Sequence, residues 1–560
     1  MCRETQSSKF NGGSELKSER WMSGHRLILI GLWLASIAIV NPAGNFSIND
    51  DWGYAIAVKR LLATGHLQLM WNTTPTLAAQ VLWGALWSKL FGFSFVTLRA
   101  SVLAVSLCGA LAMYDLGLHV GLRRAAAFLG ALLLMFTPFF FCLSFSFMTD
   151  SFYCSLQLIA LLFLLRYKTS GSRRDFAITS ALMVCSVLTR QIAICLPVAW
   201  GICSSARLLK NFTLKSAVRA WLPTALCGAA LIGFNLYMRH YGETPLYASR
   251  MNGELFRALK HPVGAVKAVQ YNLRGILVYL GVFLIPAIPL LFSVRKALSQ
   301  RAIFPAIAGS LWIVGMCALL YHRHKPLPPM FYNVLEQVFM KGPYSNPFWF
   351  VVSTVGILGG GFLLFLLLNC LRNQEIAALK PDRRWQIQLL LVTVILYFLP
   401  TILIEVFYDR YIMPAVPLLF LALMLLVNSE AARPRRRHFA ASFALLAAIA
   451  VFTIVGTRDS MTYLRAAWEA RGYAVAHGAP AAAMFRDFNQ DGEHLDWSAI
   501  AMRGPVAPPP TAWMVVPDKQ YDTIRVTTTP VSQSDIQKRF KIHLALTPCE
   551  IEMLVLKLKP

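Results

Sequence analysis

About thirteen apolar runs of membrane-crossing length, separated by loops in which every second one is basic, constrain this chain more than any other feature. The runs lie near 27 to 43, 98 to 118, 125 to 146, 150 to 165, 176 to 189, 192 to 208, 220 to 238, 273 to 294, 302 to 321, 347 to 371, 385 to 404, 411 to 428 and 438 to 456. The fifth and sixth are short and poorly separated, and if 176 to 208 were one span every later loop would change sides. A soluble fold has no use for so many apolar runs. With 56% of residues apolar and only 14% charged, the chain reads as an all-α polytopic membrane protein.

Cytoplasmic loops hold the excess Lys and Arg, and the pattern tests the count. Arg123 and Arg124, Arg166 to Arg174, Arg207 to Arg219, Arg295 to Arg301, Arg372 to Arg384 and Arg433 to Arg437 all fall in alternate loops. That alternation gives residues 1–26 a cytoplasmic place. It puts the Asp50 loop, the Asp150 turn, 239–272, 322–346, the Glu405 to Tyr411 corner and the C-terminus on the outer face. The net charge of +26 would suggest nucleic acid in a soluble protein. Here the cations flank spans, where topology and anionic membrane lipid account for them, so no nucleic-acid partner is expected. Leu27 to Val40 lacks a small-x-small cleavage site and reads as an uncleaved signal anchor.

Nine of the eleven cysteines lie in or beside apolar runs, as small hydrophobes do, and Cys549 alone cannot make a disulfide framework or zinc site in the C-terminal region. The first outer loop, 44–97, is patterned for two interfacial helices, Asp51 to Leu62 and one opening near Pro75 and running to Leu90. Trp83 and Trp87 share a face of the second, toward either the membrane interface or other protein. Residues 457–560 are polar and read as a small extracytoplasmic α/β domain. Its expected elements are a helix Met461 to Ala476 and strands at Trp513 to Val516, Thr523 to Thr528, Ile542 to Leu546 and Glu552 to Leu558. Residues 27–456 form the transmembrane domain.

Charges at span ends are expensive and usually face a cavity. Three groups qualify: Asp50 with Asp51, Asp150 in a very short turn, and Arg410 in Tyr408-Asp409-Arg410-Tyr411. Each has a plainer reading. Asp150 suits a helix cap, Arg410 suits a snorkelling anchor, and Asp50 with Asp51 suits a solvated turn. Together they place acids and a cation at one face.

Asp50-Asp51-Trp52-Gly53-Tyr54-Ala55, a loop continuing to Pro75, the Thr149-Asp150 turn and Arg410-Tyr411-Ile412-Met413-Pro414-Ala415-Val416-Pro417 resemble, in this order, the C-type membrane glycosyltransferases. The protein mannosyltransferases that use dolichyl-phosphate mannose and the lipid A aminoarabinose transferases look nearest. The resemblance implies transfer of a sugar from a polyprenyl-phosphate donor to an acceptor at the extracytoplasmic face. A bacterial inner membrane is the expected location, because the C-terminus lacks a retention signal for the endoplasmic reticulum. Asp50, Asp51 and Asp150 match the family's acidic positions. Where the aminoarabinose transferases resemble one another in an acidic-Lys-Pro triplet, this chain has Thr73-Thr74-Pro75, so a divalent cation remains a possible cofactor that the resemblance does not strongly imply, and the phosphate-binding lysine tied to that triplet has no counterpart here.

The chemistry needs a base for the acceptor hydroxyl and positive charge for the departing phosphate. Asp50 is the candidate base, with Asp51 and Asp150 as further catalytic candidates. Arg410 is the first candidate for the phosphate, followed by Arg323, Lys325 and Arg250, with Tyr54 and Tyr411 as further substrate-binding candidates. The segment around Arg323 also reads as an outer-loop cluster without function. The alternative from another class is a transporter or flippase of a lipid-linked or amphipathic solute. Acids gathered at one face, without inverted symmetry between halves, favour the enzyme. Asp487 to Gly492 matches half a calcium loop, but Ser498 stands where the bidentate Glu belongs. Asn45, Asn72 and Asn211 fit glycosylation sequons, with chance the simpler reading.

Overall fold

A computed structural model describes residues 24–70, 73–208, 212–241, 253, 260, 262–291, 302–323, 346–372, 379–403, 407–427, 434–478, 513–517, 536–545 and 551–557. Helices occupy all thirteen expected spans. Those of the first half are α1 (Gly24–Val40), α2 (Asp51–Thr64), α3 (Ala78–Phe91), α4 (Phe95–His119), α5 (Arg124–Phe136), α6 (Pro138–Ser144), α7 (Thr149–Ser170), α8 (Arg173–Val187) and α9 (Cys195–Leu208). The second half adds α10 (Leu214–His240), α11 (Pro262–Phe283), α12 (Ile288–Leu291), α13 (Ile303–Arg323), α14 (Asn346–Arg372), α15 (Pro381–Thr401), α16 (Ala415–Val427) and α17 (Arg436–Ala476). Eight of the described helices are long and apolar enough to cross a membrane, or ten segments if two bent pairs each count as one span. The protein is an integral, multi-pass membrane protein.

Both bends have a chemical cause. α5 and α6 meet at 59° where Pro138 supplies no backbone N–H, and the Thr137 hydroxyl donates to the Leu133 carbonyl at 2.6 Å. α11 and α12 meet at 53° across Pro286. Beyond the first bend the run Phe139, Phe140, Phe141, Phe145 and Phe147 is fully buried, with Phe141 edge-on to Trp33 at 5.7 Å and Phe139 edge-on to Phe283 at 4.9 Å. This aromatic core anchors the turn that carries Asp150. The expected spans 176 to 189 and 192 to 208 are separate helices, α8 and α9, divided by a turn and the short 3₁₀ segment Gln191–Ile194.

Both helices of the first loop are present, and α3 starts at Ala78 rather than at Pro75. The chain leaves Pro75 through Leu77 with φ near +60°, which sets the start three residues later. Trp83 donates to the Ser101 carbonyl at 3.2 Å and packs on Phe152, so it faces protein. Leu82, Leu86, Leu90 and Phe91 form the exposed apolar side of α3. Asn45 accepts from the Phe95 amide at 2.9 Å, a structural use of that sequon residue, while Asn72 and Asn211 lie outside the described residues.

The last expected span and the expected helix Met461 to Ala476 form one helix, α17, about 60 Å long at 1.5 Å per residue. Residue 457 therefore lies inside a helix. The polar residues that follow do not interrupt it, because leaving an apolar layer changes side-chain chemistry and not backbone hydrogen bonding. On its polar half sits an antiparallel sheet of β1 (Trp513–Pro517), β2 (Ile536–Ile542) and β3 (Ile551–Lys557) in the order β1-β3-β2. Ala467, Ala470 and Ala474 pack there against Ile542, Met553 and Val555. The strand expected at Ile542 to Leu546 lies earlier, at Ile536–Ile542, and Thr523 to Thr528, Cys549 and the Asp487 to Gly492 segment fall outside the described residues.

α11 and α14 approach through glycine. A methyl group at Gly281 would strike the Gly356 carbonyl oxygen, and one at Gly359 would strike the Gly281 carbonyl. Both obstacles are backbone, which cannot step aside. Gly359→Val should therefore destabilise the protein by about 1–3 kcal/mol or more, seen as a lower melting temperature and poor recovery as a single species in detergent. A melting temperature equal to that of the native protein would contradict this packing.

Candidate functional site

The turn before α2 is built to present two adjacent carboxylates differently. Asn49 takes φ near +58°, a conformation that Asn tolerates better than other side chains with a Cβ. Asp50 then stands at the N-cap of α2, yet its carboxylate makes no capping hydrogen bond. Asp51 is wholly buried, and its two oxygens accept from the backbone amides of Ile48 at 2.6 Å and Phe147 at 3.1 Å. Burial pushes the Asp51 carboxyl up to about 7 against the lowering effects of Arg99 and these two amides. Asp51 thus ties the first loop to the turn ahead of α7. Arg99 secures the loop's start: its guanidinium donates to the carbonyls of Pro42, Gly44 and Phe46 and stacks 4.4 Å over the Phe46 ring.

α7 opens with Thr149 and Asp150, after Met148 at the N-cap. Asp150 is not the cap. It is 2% exposed, with Oδ1 at 2.5 Å from Arg190 Nη1 and 4.0 Å from Arg410 Nε. Arg410 comes from the 3₁₀ turn Asp409–Ile412, where the Asp409 carboxylate accepts the Arg410 amide at 2.7 Å and fixes the turn. Arg410 Nη2 lies 4.0 Å from Asp50 Oδ2. Its guanidinium sits 4.9 Å over the Tyr408 ring and so is not a snorkelling anchor. Carboxylates one hundred residues apart in sequence, and a cation 260 residues further on, therefore share one end of the helix bundle.

The site is unsaturated. Arg410 is 8% exposed, yet its Nε and Nη1 have no hydrogen-bond acceptor, and Asp150 Oδ2 has no donor. Such atoms are rare in a finished interior. The Asp50 side chain, 32% exposed, is the open side. Burial raises the Asp50 carboxyl, Arg410 pulls it down and Asp150 pushes it up, with a net upward shift. Tyr54 is buried under the same charges; burial first and Asp50 second raise its phenol, which stays a neutral hydroxyl.

Arg190 is the site residue that the sequence reading missed. It holds Asp150 and donates to the Thr149 hydroxyl at 3.1 Å, with its guanidinium 5.4 Å from the Tyr153 ring and 5.9 Å from that of Tyr411. Tyr411 therefore does border the site. The available signal was sidedness, since Arg190 is a lone cation in a turn that the charge alternation assigns to the outer face. Arg323 is the last residue of α13, and Arg250 and Lys325 lie outside the described residues. Both carboxylates face guanidinium groups, and among the described residues no three His, Cys, Asp or Glu side chains are grouped to hold a metal.

No protein-family model matches the chain, and no curated protein matches it in sequence. Among solved structures, ArnT from Cupriavidus metallidurans bound to undecaprenyl phosphate is similar over 81% of this chain and 71% of its own, at 13% identity and a TM-score of 0.43. The archaeal oligosaccharyltransferase AglB from Archaeoglobus fulgidus, in complex with an inhibitory peptide and a dolichol-phosphate, is similar over 82% of this chain and 58% of its own, at 15% identity and a TM-score of 0.39. The arabinosyltransferase EmbB from Mycobacterium smegmatis is similar over 89% of this chain and 44% of its own, at 12% identity and a TM-score of 0.35. No residue role follows from likeness at that level.

Proposed function

We propose that this protein is a membrane glycosyltransferase of the C-type kind, moving a monosaccharide from a polyprenyl-phosphate donor to an acceptor hydroxyl on the extracytoplasmic face. The observation that carries this reading is the meeting of Asp50, Asp150 and Arg410 around unmatched polar atoms, at one end of a membrane-spanning bundle. Asp50 is the base: its carboxylate neither caps a helix nor forms a tight ion pair, and it faces the opening. As the acceptor oxygen bonds to the anomeric carbon, the bond from that carbon to the phosphate oxygen breaks and the acceptor's proton passes to Asp50. A single displacement of this kind inverts the anomeric centre. The phosphate leaves as a monoester, and Arg410, with N–H groups unspent, stabilises its growing charge. Asp51 is a positioning residue, since its oxygens are committed to backbone amides.

The test is donor cleavage by purified protein in lipid nanodiscs. Labelled polyprenyl-phosphate hexoses and pentoses, offered with lipid, glycan and peptide acceptors, should yield free polyprenyl phosphate and labelled acceptor. A transporter would move label across a proteoliposome with the donor intact. Intact donor throughout, together with such movement, would overturn the reading.

A further inference from the structure

Arg190 stands in no helix, yet the turn that carries it is bonded to the first loop at several points. Thr76 donates through its hydroxyl to the Val187 carbonyl at 2.7 Å, Leu77 through its amide to Thr189 at 3.1 Å, and Ala79 to Leu188 at 3.1 Å. Gln191 completes the strap from the other side: its Oε1 accepts from the Thr76 amide at 3.3 Å and its Nε2 donates to the Thr74 carbonyl at 3.0 Å. Leu77 adopts its left-handed φ within this strap, a conformation that persists only where its surroundings enforce it. The segment between the two interfacial helices is thus pinned to the turn that aims Arg190.

Holding Asp150 does not by itself account for this arrangement. Both side-chain hydrogen bonds of Arg190 leave from Nη1, and 15% of its side chain remains open. Asp150 is shared between two guanidinium groups, both nearest its Oδ1, and its Oδ2 is still without a donor, while Arg410 has two nitrogens, Nε and Nη1, without an acceptor. Asp50 and Asp150 balance the two guanidinium groups in formal charge, but their nearest oxygens stand 4.0 Å from Arg410, too far to accept its hydrogen bonds, so donors remain unspent. An anion with several oxygens satisfies both cations at once.

We infer that Arg190 and Arg410 form a two-guanidinium clamp on the donor phosphate, with Asp150 as the shared carboxylate that sets the angle between them and Gln191 and Thr76 as positioning residues for the Arg190 arm. The inference rests on the glycosyl-transfer reading for the identity of the anion, and it adds a second phosphate contact and a strap that aims it. The phosphate gains negative charge as the sugar departs, so the clamp holds the polyprenyl phosphate product more strongly than the diester donor.

Binding tests this without any transfer. The full-length protein in nanodiscs is titrated with a polyprenyl monophosphate and with the corresponding prenol. The native protein should prefer the phosphate. Arg190→Gln should weaken phosphate binding by about 10- to 100-fold, the loss of charge-assisted hydrogen bonds, with prenol binding unchanged. Arg190→Lys should recover part of the loss. Gln191→Ala, which leaves both arginines in place, should weaken the phosphate arm by less. In turnover, Arg190→Gln should lower kcat more than it raises KM, which a merely structural role would not do. Should Arg190→Gln fail to fold, the Lys and Gln191 variants decide. A phosphate preference unchanged in the folded variants overturns the inference. Binding as expected, with no donor ever cleaved, leaves the clamp standing and removes the glycosyl-transfer reading instead.

Discussion

Asp50→Asn is expected to lower kcat for transfer by about 10²- to 10⁴-fold, the usual contribution of a positioned base, with donor KM and melting temperature nearly unchanged. The reason for the small structural effect is local. Asp50 occupies an N-cap without capping, and its 4.0 Å approach to Arg410 is too long for a hydrogen bond. Its neighbour gives the control. Asp51→Asn keeps one acceptor and turns an amide group toward a second backbone N–H, so that change should lower the melting temperature first and activity as a consequence. Equal loss of stability in both variants would show that Asp50 is structural too.

The pH profile follows from the same geometry. A base must be ionised, and the net effect of burial, Arg410 and Asp150 raises Asp50 above the usual 3.8 of an aspartate. Activity should therefore fall on acidification through a midpoint above that value. Asp150→Asn removes a like charge, so the midpoint of whatever activity remains should move to lower pH. A midpoint that is identical in the two proteins would argue that another group titrates.

The apolar runs are legible because a bilayer demands about twenty such residues at a stretch, and nothing in the fold can override that demand. Asp50, Asp150 and Arg410 are legible for the complementary reason, since charges at span ends stand out against that background. Asp51 could not be separated from Asp50 by sequence, because the difference lies in a backbone amide at Phe147, 96 positions away. Arg190 was hidden because it stands alone in the short turn between two weakly separated runs, where a single cation looks like an ordinary span-end charge. The strand Ile536–Ile542 was obscured in a similar way: Lys538, Arg539 and Lys541 interrupt its apolar pattern, and Arg539 is steadied by Glu552 on β3 at 2.7 Å. The continuity of α17 was concealed by the shift to polar residues near 457, which marks a change of solvent and not of backbone.

Arg410→Gln should cost about 10²- to 10³-fold in kcat, the scale seen when one preorganised donor to a developing oxyanion is removed. Three consequences separate this from a general loss of structure. Arg410 lowers Asp50, so its removal should carry the acidic midpoint upward, opposite to the effect of Asp150→Asn. Arg410→Lys should restore only part of the rate, because a single ammonium cannot reach toward both Asp50 and Asp150 as the planar guanidinium does. The third consequence concerns the leaving group. With a prenylated pyridinium glycoside, whose leaving group departs without negative charge, the deficit of Arg410→Gln should shrink toward one, while that of Asp50→Asn should persist because the acceptor still loses its proton. A deficit of the same size with both donors would place Arg410 in the scaffold, and the positive charge that expulsion of a phosphate requires would then have to come from Arg190 alone.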